Sequence, residues 1–343
     1  MSAWNPLRPD GSFGGSYPAV PPLHLRIVSF NIRYATTSPF TNERPWAERR
    51  PLVTNQLLHE LRFTYGSSHV PASGSTAGSS SHNAAFVCLQ EVLHSQLVDV
   101  LAGLNQLPSG DGGEKRQEPS RGPEWAHIGV GRDDGEEKGE YSPIIYQVKT
   151  FVLLHSETVW LSPTPDEPGK GWDAGSIRIL TVGVFEHKQT GRRLVAANTH
   201  LDNKGSKSRL ESVKIILSTL RRIHQAWSRP QQKLAVFLTG DFNSFPDQEA
   251  YVAMRDDGWM KDLQQDVDSK ARYGETNTFT GFEPDKRKDG LGRIDYIWHG
   301  PTQYFVSSPW TPLGYAVLPN VFDDKVYLSD HRAVVGDLRL ESA

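Results

Sequence analysis

Eight polar side chains, each beside a short apolar run, carry the chemistry in this sequence. Asn31 closes Ser29-Phe30-Asn31, Glu91 closes Cys88-Leu89-Gln90-Glu91, and His200 follows Ala197-Asn198-Thr199. Asp241 and Asn243 share Gly240-Asp241-Phe242-Asn243, Asp295 lies in Arg293-Ile294-Asp295-Tyr296, and Asp330-His331 precede the last apolar run. The set holds four carboxylates, two imidazoles and two carboxamides. Oxygen donors of this kind suit a hard cation, Mg²⁺ or Mn²⁺. A histidine beside a carboxylate can deprotonate water or orient a base. Carboxamides and imidazoles can hold phosphoryl oxygens as charge develops on them. Metal-assisted hydrolysis of a phosphate ester fits this kit. A structural zinc site does not, because there is no cysteine cluster and no histidine pair at helical spacing.

Taken one at a time, each residue has a plainer reading. Asn and Asp favour turns at strand ends. Glu91 could be the acidic first turn of a helix. Asp330 could be a surface turn residue and His331 a satisfied core histidine. Chance explains single cases better than it explains the whole series, each member at the end of an apolar run.

The elements that must position these residues are legible in the periodicity. Leu25, Ile27 and Phe30 with Val28 between them read as a strand. Further strands are expected over 84–90, 125–130, 143–147, 151–161, 177–186, 193–199, 234–239, 292–298 and 332–338. Helical spacing marks 46–61, 92–104 and 206–227, the last with Leu210, Val213, Ile216, Leu217 and Leu220 in one stripe. Residues 1–22 read as a flexible arm, and 23–343 as one domain with low-complexity insertions near 66–82 and 108–123. Many short strands with few helices suggest two sheets packed on each other with helices outside.

The order Asn31, Gln90-Glu91, Thr199-His200, Gly240-Asp241-x-Asn243, Asp295, Ser329-Asp330-His331 resembles the signature of the endonuclease/exonuclease/phosphatase superfamily. That resemblance implies an α/β four-layer sandwich, two mixed β-sheets face to face with helices outside, and a site where strand ends converge. It implies Glu91 as the central metal ligand, assisted by Asn31 and Asp330. Asp241 would orient or deprotonate the attacking water, with Asn243 fixing its geometry. His331, oriented by Asp295, would contact the phosphoryl group or move a proton, and which of Asp241 and His331 is the base stays open. His200 would stabilise charge on the phosphate. One position departs from the pattern. Where some members carry an acidic residue two places after the early Asn, this chain has Arg33, which makes a second metal on that side doubtful. Arg33 could approach substrate phosphate or serve a structural ion pair. A narrower likeness, Gly129-Val130-Gly131-Arg132-Asp133-Asp134-Gly135 with Gly139-Glu140-Tyr141-Ser142-Pro143, is similar to a mainly uncharacterised microbial subgroup and makes Arg132 a candidate anion contact. Trp160 and Trp172, in the same likeness, read as core residues or as flanks for a ring-shaped substrate.

Composition narrows the function. The formal net charge of −3 argues against generic electrostatic grip on nucleic acid. The single Cys88 excludes an internal disulfide. With no signal peptide or bilayer-spanning run in view, the expectation is an intracellular monomer, cytoplasmic or nuclear, without membrane insertion. The first expectation for a substrate is a compact phosphorylated molecule such as a nucleotide, sugar phosphate or inositol phosphate. A nuclease acting on DNA or RNA is the alternative. A catalytically dead binding member is disfavoured because all eight residues are present. The triplet Lys286-Arg287-Lys288 reads as a solvated loop.

Overall fold

The first strand forms as its alternation predicts, and from Ile27 onward it is covered on both faces. In β1 (Leu23–Asn31), Leu23, Leu25 and Ile27 face a second sheet, while Val28 and Phe30 face helices. The computed structural model describes residues 22–62, 82–105, 123–229, 234–283, 291–302 and 308–341. The expected arm, both low-complexity insertions and the basic triplet lie outside the described residues, save single residues at their edges.

In chain order the elements are β1, α1 (Trp46–Leu61), β2 (His82–Gln90), α2 (His94–Asn105), β3 (Trp125–Ile128), β4 (Ile144–Gln147), β5 (Phe151–Trp160), β6 (Ile179–His187) and β7 (Arg193–His200). There follow α3 (Ser206–Trp227), β8 (Ala235–Asp241), α4 (Glu249–Asp257), β9 (Lys261–Asp262), α5 (Leu263–Asp266), β10 (Arg272–Gly274), β11 (Asp295–Gly300), β12 (Trp310–Val317) and β13 (Val334–Leu340). One sheet has the order β10-β12-β13-β1-β2-β4-β3, the other β5-β6-β7-β8-β11-β9. Both are mixed: β1 pairs parallel with β2 and β7 parallel with β8, among antiparallel neighbours.

The sheets pack face to face. Phe86 of β2 reaches across to Phe151, Phe185 and Phe237 at centroid distances of 4.8, 4.9 and 5.4 Å. Truncating such a buried aromatic costs about 3–5 kcal/mol. Outside the first sheet lie α1 and α2, through Val53, Leu57, Leu97 and Val100. Outside the second lie α3 and α4, through Val213, Ile216, Leu220 and Met254. The four-layer α/β sandwich with helices outside is therefore as expected.

Several elements escaped the pattern. In β12, Pro312 and Gly314 flank a register shift that breaks the apolar alternation. The helix α4 is nine residues long and buries only Ala250, Tyr251 and Met254, too few to stand out. β11 starts at Asp295 rather than Gly292, because Gly292 pairs with Phe279 in a separate bridge. The core reading of the two tryptophans holds for Trp160, at 8% exposure, and is corrected for Trp172, which is 36% exposed with φ +31°.

Candidate active site

Period-two geometry carries the inner face of each sheet to the same mouth. On β1, Ile27 faces the inter-sheet core, so Ser29 and Asn31 share its face. On β2 the same face carries Phe86, Cys88 and Gln90. On β7 it carries Ala196, Asn198 and His200, on β8 Phe237, Thr239 and Asp241, and on β11 Asp295 and Ile297. Pairing then aligns them: Asn31 is opposite Gln90, His200 opposite Asp241, and Asp241 opposite Asp295. The apolar residues deeper in each strand form the core, and the polar residues at the ends form the site.

A buried hydrogen-bond lock joins the sheets directly beneath. Gln90 Nε2 donates to Asn198 Oδ1 at 2.7 Å, Asn198 Nδ2 donates to the Leu89 carbonyl at 2.7 Å, and Thr239 Oγ1 donates to Asn198 Oδ1 at 3.0 Å. Gly240 is required by close approach, since a Cβ there would lie 2.3 Å from the Thr199 carbonyl oxygen.

Seven of the eight predicted residues surround one centre, and Asn243 stands at its edge. Asn31 Nδ2 donates to Glu91 Oε1 at 3.1 Å and Asp241 Oδ2 at 3.0 Å, and lies 3.4 Å from His331 Nε2. Its Oδ1 accepts from the Arg33 backbone N–H. His331 Nδ1 pairs with Asp295 Oδ2 at 2.9 Å, and Nε2 lies 3.6 Å from Asp241 Oδ2. Thr278 Oγ1 accepts from the N–H groups of Ile294 and Asp295, which fixes the start of β11. Ser329 Oγ donates to the Asn31 carbonyl, tying the Asp330–His331 loop to β1. Asn243 takes φ +45°, donates its N–H to Asp241 Oδ1 at 2.8 Å, and places Nδ2 3.0 Å from His200 Nε2.

Burial opposes the charge on His331, but Asp295 and Asp241 outweigh it and raise its pKa to about 10. Burial and then the neighbouring Asp295 raise Asp241 to about 7, against the pull of His331. His200 is driven well below 6.5 by burial and by Arg178 and Arg132, so its imidazole is neutral. For Glu91, burial is outweighed by His331, Arg33 and the bonds from Asn31 and the Tyr34 N–H, which hold it below the ordinary range. Asp330 is raised, by burial first, with Glu91 adding to it against His331 and Arg33.

Two groupings could hold a cation. Asp241, Asp295 and His331 offer ligand atoms within 4.8 Å of one another. They are almost fully buried, and His331 already pairs with Asp295 and approaches Asp241, although Asp295 Oδ1 lacks a hydrogen-bond partner. Glu91 and Asp330, with Asn31 between Glu91 and the buried pair, offer oxygen donors nearer the surface: the Glu91 side chain is 15% exposed and Asp330 9%.

Arg33 and Arg132 both sit beside the centre, each committed to a carboxylate. Arg33 donates from Nε to Glu43 Oε1 at 3.0 Å. Arg132 Nη1 donates to Glu140 Oε2 at 2.7 Å, while its buried Nε has no hydrogen-bond partner. Glu140 Oε2 lies 3.8 Å from His200 Nδ1. Beyond it Arg178 pairs with Asp202, and Arg178 Nη1 is likewise buried and unpartnered. Glu43, Glu140, Arg178 and Asp202 were not picked out by the sequence reading. Only Glu140 had a signal, its place in Gly139-Glu140-Tyr141.

The Asp241 carboxylate thus lies beside the His331–Asp295 pair at the mouth between the two sheets. The chain matches the Endonuclease/Exonuclease/phosphatase family over residues 28–331 and belongs to it. It is similar to a family protein from Bacteroides thetaiotaomicron, at 28% identity and a TM-score of 0.71 over 93% of this chain and 99% of that one. A family protein from Bacteroides vulgatus is 30% identical, with a TM-score of 0.70 and the same coverage. The mannosyl-6-phosphatase Bt3783 of Bacteroides thetaiotaomicron is 28% identical, with a TM-score of 0.70 over 92% of this chain and 99% of that one. A comparison with curated proteins finds no match. Among the described residues no helix is long and apolar enough to cross a membrane.

Proposed function

We propose that this chain is a divalent-metal-dependent phosphatase acting on a compact phosphate monoester, with a sugar phosphate as the leading substrate class. The supporting observation is the Asp241–His331–Asp295 arrangement: an acceptor carboxylate 3.6 Å from an imidazole whose far nitrogen is held by Asp295. The similarity to a mannosyl-6-phosphatase over nearly the whole chain favours the sugar-phosphate class.

Asn31, Glu91 and Asp330 are the residues that would hold Mg²⁺ or Mn²⁺. Their donors fit a hard cation: two carboxylates at the rim, and an amide oxygen that retains a second lone pair after accepting from Arg33 N–H. When bound, the cation supplies Lewis-acid polarisation of a phosphoryl oxygen. Asp241, held by Asn31 and the Asn243 N–H, accepts the proton of the attacking water. His331 carries positive charge towards the phosphoryl group and is kept upright by Asp295. His200 and Asn243, in contact at 3.0 Å, flank the same space as neutral hydrogen-bonding groups. The Arg132 and Arg178 guanidiniums lie on the His200 side, and their charge suits an anionic substrate.

Inorganic phosphate release from hexose 6-phosphates, compared with cleavage of a labelled oligonucleotide under Mg²⁺, tests the reading. Chelator-sensitive phosphate release with little oligonucleotide cleavage supports it. Efficient oligonucleotide cleavage without phosphate release from the sugars overturns it in favour of a nuclease.

A further inference from the structure

One aromatic ring beside the site is both exposed and pinned. Phe40 is 59% exposed. A lone exposed apolar side chain is ordinary on a surface, but this one sits in a turn tied on two sides to the mouth. Its N–H donates to Glu43 Oε2 at 2.9 Å, and the Glu43 N–H donates back to the Phe40 carbonyl at 3.1 Å. The other oxygen of Glu43, Oε1, accepts from Arg33 Nε at 3.0 Å. Asn42, at φ +65°, donates from Nδ2 to the Phe282 carbonyl at 3.2 Å.

Both ties lead to residues of the centre. Arg33 Nη1 stands 3.6 Å from Glu91 Oε2, and the Tyr34 N–H donates to the same oxygen at 3.3 Å. The Arg33 Cζ lies over the Tyr34 ring, 4.3 Å from its centroid, and over the Phe40 ring, 5.0 Å from its centroid. One face of Phe40 is therefore backed by a buried guanidinium that adjoins Glu91, and the exposed area belongs to the rest of the ring. On the other side, two residues before Phe282, the Thr280 N–H donates to the Asp330 carbonyl at 2.8 Å. A flat apolar face thus stands at a fixed place one side chain away from Glu91. Little side-chain freedom is left for it to lose when a ligand covers it.

We propose that Phe40 is the platform for the alcohol part of the substrate: its open face packs against the C–H face of a pyranose ring while the phosphate lies at the centre. The inference rests on the sugar-phosphate reading above and adds the residue that selects a ring-shaped alcohol over an open-chain one. A six-membered sugar ring presents C–H groups on its faces and hydroxyls around its edge. An apolar aromatic plane suits such a face and leaves the edge to water and polar neighbours. Glycerol phosphate has no such face to offer.

The test is steady-state phosphate release by the full chain, with Mg²⁺, from a hexose 6-phosphate, glycerol 3-phosphate and a nucleoside 5′-monophosphate. Phe40→Ala and Phe40→Leu each raise KM for the hexose 6-phosphate by about tenfold with a smaller change in kcat, and its kcat/KM relative to glycerol 3-phosphate falls by the same factor. Phe40→Tyr, which keeps the ring, stays within about twofold of wild type. An unchanged ratio in Phe40→Leu, or an equal loss on both esters, makes Phe40 a cover for Arg33 and overturns the proposal while leaving the phosphatase reading intact. A preference lost for the nucleotide and kept for the hexose puts a base where the sugar was placed and also overturns it. Wild type that releases phosphate from none of the three overturns the phosphatase reading and this inference with it.

Discussion

Asp241 and Asp295 stand directly opposite each other in the antiparallel β8–β11 ladder, with their side chains on the same inner face. Two carboxylates so placed repel, and His331 relieves the repulsion by lying 2.9 Å from one and 3.6 Å from the other. The register of two strands thus makes the acceptor and the charged imidazole a single unit.

Removing the imidazole should abolish most turnover while sparing the fold. His331→Ala is expected to lower kcat by about 10³-fold, and Asp295→Asn, which keeps the shape but not the charge, by about 10²-fold. Steady-state phosphate release with each variant checks this, with circular dichroism as the control for folding. Retention of more than a tenth of wild-type kcat in His331→Ala would remove His331 from the mechanism.

The pH profile follows from the same unit. Asp241 must be ionised to accept a proton, so kcat/KM rises as pH passes through about 7. His331 must keep its proton, so kcat/KM falls as pH passes through about 10. A bound divalent cation draws the acid limb lower, because it favours the charged carboxylate. A rate that falls steadily between pH 6 and 8 contradicts this assignment of base and cation.

Arg132 lies beside His200, paired with Glu140 through Nη1 at 2.7 Å and near Asp133 through Nε at 3.7 Å. If it meets the substrate anion, Arg132→Ala raises KM by about tenfold or more with a smaller change in kcat. Equal loss in a neutral substrate analogue's binding, or an unchanged KM, would reduce Arg132 to a structural partner of Glu140.

Stability carries its own signature at Asp202. Burial works against its charge, but N–H groups of Gly205, Gly175 and Lys204 and the Arg178 guanidinium outweigh it and hold the pKa at about 2, below the ordinary 3.8. A depressed folded-state value stabilises the fold above pH 4, and that contribution is lost as pH falls towards 2. Asp202→Asn should therefore cost about 2 kcal/mol at pH 7, with the gap to wild type narrowing below pH 4. Urea titrations at pH 7 and pH 3 measure both, and a gap independent of pH contradicts the assignment.

Much of this was legible in the sequence because the site is built from strand ends. Alternation in 25–30 and the continuous apolar runs over 84–90 and 234–239 mark strands, and the polar residues that follow them lie at the mouth. Asn31, His200, Asp241 and Asp295 were found that way, and Asp330-His331 by its place just before the last strand. Glu43, Arg178 and Asp202 were not, because lone charged residues in loops have no period and their meaning lies in contacts 10, 24 or more residues away. The locking of Arg33 was invisible for the same reason, since it depends on Glu43 and Phe40 folding back. β12 stayed hidden because Pro312 and Gly314 interrupt its pattern at the bulge.

The most direct measurement is nitrophenol release from p-nitrophenyl phosphate and bis(p-nitrophenyl) phosphate, side by side, with Mg²⁺ or Mn²⁺, with chelator, and with His331→Ala as the blank. Metal-dependent release from the monoester in preference to the diester, lost with chelator and in the variant, is the predicted result. Release that survives both chelator and His331→Ala would contradict a metal-dependent phosphatase centred on Asp241, Asp295 and His331.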